Sequence, residues 1–393
     1  MIMCYMYVYI VTVDEIAPKH GLTCLTHEKP FAGINGSGKH NNWSIATNCG
    51  TNLFDFSQLG EKSGNSDLFP MVMAAVISAI DKHGDLMRLS IAAPGNDFRL
   101  GACEAPPAIM SVYLGEAMTN YLDSYRQGSD DPYNPQSKFV NLGSSSLPIL
   151  KIPNEDRNRT SPFPYGNGRF EFRAVGSSQN VSLVNIVLNT ILADTFEEFC
   201  VKLDGGMSAK QITREALNAH SKVIFNGDNY CLKNQADLTE RGLWRIDSSV
   251  DAIKRYSHQK NKDLFERMGV FSPDECEARE AVLLAHYVGT VEIEVKCMID
   301  MMNQHIIPSM KAAQLDNSIV SDLTREVNRL QQEWNDIHHT DQLDTKAAMA
   351  RVLRLETMQE VRVLCDAAEG VCPAGLWTLS SYKDMLFIDQ TMD

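Results

Sequence analysis

The stretch Gly33-Ile34-Asn35-Gly36-Ser37-Gly38-Lys39-His40-Asn41-Asn42-Trp43-Ser44 constrains this chain more than any other. Glycines let a backbone approach a ligand closely and take positive φ. A histidine at the end of such a loop can bind metal or polarise a phosphate. The segment reads as a loop that holds a phosphorylated, metal-bound ligand. Gly33, Gly38 and Lys39 fit the spacing of the P-loop, G-x-x-x-x-G-K-[ST]. His40, however, stands where that template needs a magnesium-binding hydroxyl, and Asn42 to Thr47 reads as a strand where it needs a helix N-terminus.

A chain of 393 residues, 44% hydrophobic and 22% charged, is long enough for a substantial core. Its net charge of −14 argues against a general nucleic-acid binder, which carries a basic face. ATP binding stays open, because local arginines decide it. None of the ten cysteines forms C-x-x-C, so they read as reduced, buried, small hydrophobes of a cytoplasmic protein. The apolar run Met1 to Val13 is too short to span a bilayer and lacks a basic n-region and a cleavage site. No membrane association is expected.

Leu22 to Thr26 reads as a short strand into the glycine loop, and Asn42 to Thr47 as the strand leaving it. Helices are expected over Asp67 to Ile80, Ala108 to Leu122 and Val184 to Phe199. Gln127 to Pro153, without period, reads as a long loop. Arg169 to Val175 alternates charged with apolar residues, which puts Arg169, Glu171 and Arg173 on one face of a strand. Leu284, Val288, Val291, Val295, Met298 and Met302 form one heptad seam; Val320, Leu323, Val327, Leu330, Trp334 and Ile337 form another. Pro308 between them predicts a helical hairpin, with a third helix over Ala347 to Ala368.

The segment His27 to Ser44 resembles the N-G-S-G-x-H-x-x-x-S signature of glutamine synthetases in their type III branch. Three more stretches match in the family's order. Gly95 to Pro107 resembles the substrate arginine followed by the E-A-P flap, and Asp156 to Ser161 the R-N-R phosphate motif. Phe170 to Arg173 with Gly176 to Gln179 resembles the strand carrying a late metal glutamate and an arginine. Leu376 to Leu379 is similar to the branch's closing segment, while residues 1–13 fall outside the resemblance.

The resemblance implies an ATP-dependent glutamate–ammonia ligase that works through γ-glutamyl phosphate, with ATP and Mg2+ (or Mn2+). It gives Asn35, Gly36, Arg99 and Arg173 to the substrate, and Asn42, Ser44 and Arg159 to the nucleotide and its transferring phosphate. His40 and Glu171 fall to metal, and Glu104 to the flap that accepts the ammonium proton. It implies an α+β fold: a truncated catalytic domain with a curved antiparallel sheet and flanking helices over residues 14–205, a helical and irregular connecting region over 206–272, and a mostly helical, antiparallel region over 273–393. Family members form stacked homo-oligomeric rings with sites between subunits.

The family's upstream sheet carries an E-x-E strand and two further glutamates, whereas here only residues 1–26 precede the first motif. Glu292-Ile293-Glu294 spells E-x-E inside a heptad helix, where side chains two apart diverge. The chain alone is expected to turn over little. The alternative is a catalytically inactive relative that keeps binding or assembly contacts.

Overall fold

The computed structural model describes residues 15–22, 24, 27–29, 33–63, 67–128, 133, 138–140, 150–152, 158–166, 168–314, 317–381 and 384. It divides into two compact units, one of His27–Pro273 and one that contains Asp274–Asp393.

The first unit opens with strand β1, Gly38–Trp43. Helices α1 (Phe56–Ser63), α2 (Leu68–Leu89) and α3 (Pro94–Arg99) follow. Next come β2 (Val112–Tyr113), α4 (Glu116–Gln127) and the short strands β3 (Lys138–Val140) and β4 (Leu150–Ile152). Then β5 (Phe163–Gly166), β6 (Arg169–Gly176), α5 (Ser182–Asp204) and α6 (Ala209–His220) complete the centre. Helices α7 (Leu232–Glu240), α8 (Ser249–Ile253) and α9 (Gln259–Arg267) close the unit.

The main sheet runs β1-β6-β5-β2. β1, β6 and β5 are antiparallel, but β2 lies parallel to β5, so the sheet is mixed rather than antiparallel throughout. Its apolar face comes from period-2 alternation: Phe170, Phe172 and Ala174 of β6 are fully buried. Trp43 of β1 joins them in an aromatic cluster with Phe54 and Phe163. Trp43 and Asn41 also donate to Asn189 and Asn185 of α5, at 3.0 Å each, which fixes β1 on that helix. The opposite positions of β1, His40 and Asn42, are exposed.

α2 is the core helix. It is apolar on nearly every side, the pattern of a fully buried helix, and packs on α5 and α6. It bends at His83 (φ −126°, ψ 27°), where Trp244 presses on Gly84 and its indole donates to the Asp81 carbonyl at 2.9 Å. A donor inserted at the helix ladder is a recognised cause of such a kink. Residues 209–267 pack as helices within this unit. Buried Asp85 of α2 holds Arg255 at 2.9 Å, Lys260 at 3.0 Å and Asn261 at 3.0 Å.

Three expectations need correction here. Residues 108–114 are not helical, because their backbone is bound on two sides. Met110 N–H donates to the Trp244 carbonyl, the Val112 carbonyl accepts from Phe225, and Val112–Tyr113 pairs with β5. The helix starts only after Gly115, whose φ of 78° stops the extended run. The region 127–153 contains the β3–β4 ladder. β1 begins at Gly38, inside the glycine segment, and not at Asn42. The expected strand at 22–26 lies largely outside the described residues.

In the second unit, α10 (Pro273–Met301) passes through a π-helical turn, Met302–Ile306, into α11 (Ile307–Ala312). α12 (Asn317–His338), α13 (Leu343–Val352) and, after a second π-helical turn at Leu353–Thr357, α14 (Met358–Val371) complete it. Most positions of both heptad seams are buried, Leu284, Val291, Val295, Leu323, Leu330 and Ile337 among them. Pro308 does not break the chain. It sits at the start of α11, directly after the π-helical turn, and the helical run ends at Ala312, with α12 beginning at Asn317. Glu292 and Glu294 do diverge: Glu292 pairs with Lys296 at 2.5 Å and Glu294 with buried Arg354 at 2.5 Å. No helix among the described residues is long and apolar enough to cross a membrane. Cys276, Cys365 and Cys372 are buried as expected, but Cys49, Cys103, Cys200, Cys231 and Cys297 are exposed.

Candidate active site

The site begins with an irregularity. The β1–β6 pairing runs Asn42↔Glu171 and Asn41↔Phe172, then shifts between Lys39 and Asn41. A bulge re-aims the side chain at the step, and here that side chain is His40. Its Nδ1 lies 2.9 Å from Glu171 Oε1. The other Glu171 oxygen accepts from Arg173 Nε at 3.1 Å and Nη2 at 2.9 Å. Arg173 Nη1 in turn donates to the carbonyl of Asn158. Burial alone would push the Glu171 carboxyl up, but the Arg173 guanidinium and His40 outweigh it and hold the group below its ordinary value of 4.5. His40, Glu171 and Arg173 thus form one connected row on the face predicted from alternation. Asn42 lies beside it and accepts from Arg169 at 2.7 Å. Ser44 follows β1, exposed.

A second group forms around the flap. Residues 99–106 make a tight turn: Gly101 N–H reaches the Pro106 carbonyl at 3.0 Å, and Ala102 N–H the Arg99 carbonyl at 3.1 Å. Cys103 takes a φ of 48° there, and exposed Glu104 follows. Asn35 Nδ2 donates to the Glu104 carboxylate at 3.1 Å, joining the glycine loop to the flap. Arg159 is exposed and makes no side-chain bond to another described residue, so its guanidinium is available to an anion. Asp156 and Arg157 lie outside the described residues.

Arg99 is placed differently from the rest. It is buried, and its guanidinium donates to the carbonyls of Arg173 at 3.1 Å and Val175 at 3.3 Å. Gly38 makes room for it: a Cβ there would sit 2.0 Å from Nη2. In this arrangement Arg99 supports β6 from behind the row. Lys39 points the same way and donates to the Gln179 carbonyl at 2.5 Å.

Sequence reading missed two contributors. Glu28 is buried at 2% exposure, and its carboxylate accepts from the Ser178 N–H at 2.8 Å and from the Ser178 hydroxyl. Its carbonyl accepts from Ser37 N–H at 2.9 Å, and Gly36 packs so closely that a Cβ would meet that oxygen at 2.1 Å. Glu28 therefore ties the glycine loop to the turn after β6. The second is the turn Asn226-Gly227-Asp228-Asn229-Tyr230, whose asparagines and glycine mark it as a turn but give no hint of what it holds. Asn158 Nδ2 donates to the Gly227 carbonyl at 2.9 Å and Asn229 N–H to Thr160 Oγ1 at 2.9 Å. The Tyr230 hydroxyl donates to the Glu104 carbonyl at 2.6 Å.

Known proteins are similar to this chain in sequence. Residues 5–87 match the family model of the glutamine synthetase catalytic domain, and residues 208–325 that of the glutamine synthetase C-terminal domain. The first match starts at residue 5, so the resemblance reaches further upstream than residue 14. A type-3 glutamine synthetase of Dictyostelium discoideum is 36% identical over 96% of this chain and 56% of its own length. A glutamine synthetase of Bacteroides fragilis is 34% identical over 84% of this chain and 46% of its own. One of Butyrivibrio fibrisolvens is 30% identical over 95% and 57%. The chain belongs to the glutamine synthetase family. It spans about half the length of these relatives.

Proposed function

We propose that the chain forms part of a glutamine synthetase site, in which glutamate and ammonium are joined at the expense of ATP. The glutamate γ-carboxylate attacks the γ-phosphorus of ATP and releases ADP. Ammonia then attacks the γ-glutamyl carbonyl carbon and expels phosphate. The observation that carries the reading is the His40–Glu171–Arg173 row, which places an imidazole of β1 and a carboxylate and a guanidinium of β6 within hydrogen-bond reach of one another.

Phosphoryl transfer depends on positioning and on countering charge. Arg159, exposed and without a side-chain bond among the described residues, serves the transferring phosphate. Arg173 orients the substrate from a guanidinium already fixed by Glu171. Glu104, on its flap, takes the proton that ammonium must lose before it attacks, which is work for a carboxylate close to the reacting nitrogen. Asn35 and Gly36 shape the glutamate pocket, and Asn42 and Ser44 face the nucleotide.

His40 and Glu171 offer one imidazole and one carboxylate, a donor set that fits part of a Mg2+ or Mn2+ shell completed by water and phosphate oxygens. Such an ion, when bound, neutralises phosphate charge. The stacked-ring assembly of the family is part of the same proposal.

The test is phosphate release by the 393-residue chain with ATP, Mg2+ and glutamate, with and without ammonium. Ammonium-dependent release that Glu104→Ala abolishes supports the reading. Release indifferent to ammonium contradicts it. Nucleotide binding without release points instead to an inactive relative with binding or assembly functions.

A further inference from the structure

The five-residue turn 226–230 lies far from every motif in sequence, yet it touches two of them. Tyr230 donates its hydroxyl to the Glu104 carbonyl at 2.6 Å, and the same hydroxyl lies 3.3 Å from the Arg159 carbonyl. Its ring is half-buried, and the turn beneath it is braced. Tyr230 N–H donates to Asp228 Oδ1 at 2.8 Å. Asn229, fully buried, accepts from Ser111 Oγ at 2.9 Å and from Gln235 Nε2 through its carbonyl at 2.9 Å. Asn226 Oδ1 accepts from the N–H groups of Leu114 and Gly115 at 3.2 and 3.1 Å. The hydroxyl is therefore presented by a fixed support to two loops that are otherwise separate.

We infer that Tyr230 is a positioning residue that couples the Glu104 flap to the Arg159 loop through one shared hydroxyl. This rests on the synthetase reading for the roles of Glu104 and Arg159, but the coupling itself is a matter of geometry. A hydroxyl carries one hydrogen. At 2.6 and 3.3 Å both carbonyls lie within reach of that hydrogen, the Glu104 carbonyl the more closely. The two loops thus hang on one donor, and its loss is felt by both. The coupling extends into the row, because Asn158, next to Arg159, holds Arg173 through its carbonyl and is itself anchored on Gly227. Burial, then the neighbouring Glu104 carboxylate, push the phenol above its ordinary value of 10.0, so it remains a donor at neutral pH.

Tyr230→Phe keeps the ring and removes the donor. Amide hydrogen exchange of the whole chain, without ligand, reads the coupling whether or not the chain turns over. The expected result is roughly tenfold faster exchange at Gly101, Ala102 and Ala105 and at Thr160 and Ser161 together, the scale of one lost hydrogen bond, with β6 amides unchanged. No change, change in one loop only, or faster exchange in β6 as well overturns the inference. A second arm adds Mg2+ with the non-hydrolysable analogue adenylyl imidodiphosphate. In the parent chain it is expected to slow both loops, and in Tyr230→Phe only the 158–161 loop. Equal slowing of the flap in both proteins also overturns the coupling. If the analogue slows nothing in the parent chain, the synthetase reading fails, while the first arm still decides the latch.

Discussion

At the scale of single residues, Glu171 is the hinge of the row, since both of its oxygens are engaged by cations or their donors. Its carboxyl is held below 4.5 in the folded chain. A depressed carboxyl stabilises the fold at every pH above its unfolded pKa and loses that contribution as pH falls through the folded value. Glu171→Gln is therefore expected to lower the urea midpoint by a constant amount above about pH 5, and the gap to the parent chain should close as pH drops below about 4. A gap that persists unchanged into acid would mean that the lost stability comes from packing and that the ion pair contributes nothing. Part of the row was legible. Alternation along 169–175 predicts the shared face of Glu171 and Arg173. The contact with His40 was not, because it depends on a one-residue register shift, and nothing in the residue types of β1 marks where a strand bulges. Arg99 carries a contact that its motif does not announce: buried, its guanidinium donates to two backbone carbonyls that need donors.

Among elements, the informative one is α2 with what it gathers. The seam of apolar residues over 68–80 predicts this helix, but its continuation to Leu89 carries His83, Asp85 and Arg88, which a periodicity argument reads as solvent-facing. They are buried among partners: Asp85 and Arg88 find theirs largely in 246–261, and His83 lies 3.2 Å from Asp194 of α5. Local sequence cannot reveal this, since the partners of Asp85 lie 170 to 176 positions away. For the same reason nothing local announces that 206–272, expected as a helical and irregular connection, supports α2 and carries Tyr230. Burial would raise the Asp85 carboxyl, and Lys260, Asn261 and Arg255 together bring it below 3.8. Removing such a carboxylate leaves cations that have lost their compensation. Asp85→Ala is expected to cost about 3–5 kcal/mol, measured by urea unfolding. A cost below about 1 kcal/mol, the level of a surface pair, would show that α8 and α9 do not depend on it.

For the whole molecule, the question is how much of a two-metal phosphoryl-transfer site this polypeptide holds. Among the described residues no group of three or more His, Cys, Asp or Glu side chains is gathered as a metal site. The carboxylates that spell E-x-E serve elsewhere, in contacts with Lys296 and Arg354. Among the described residues, the pair at hand is His40 with Glu171. Magnesium and manganese favour oxygen donors and keep water where protein ligands are few, and affinity rises with the number of charged ligands. One carboxylate and one imidazole therefore predict loose binding, with a dissociation constant on the order of 10⁻⁴–10⁻³ M or weaker, the range of sparsely charged sites. Turnover by the chain, where present, should accordingly climb with metal concentration and not saturate below that range. Water-proton relaxation with Mn2+ measures the affinity directly. His40→Ala and Glu171→Gln should each weaken it about 10–100-fold, as loss of a ligand or its support does. Tight binding of two Mn2+ per chain, unmoved by either substitution, would place the metals on other residues and separate the His40–Glu171 pair from the chemistry proposed for it.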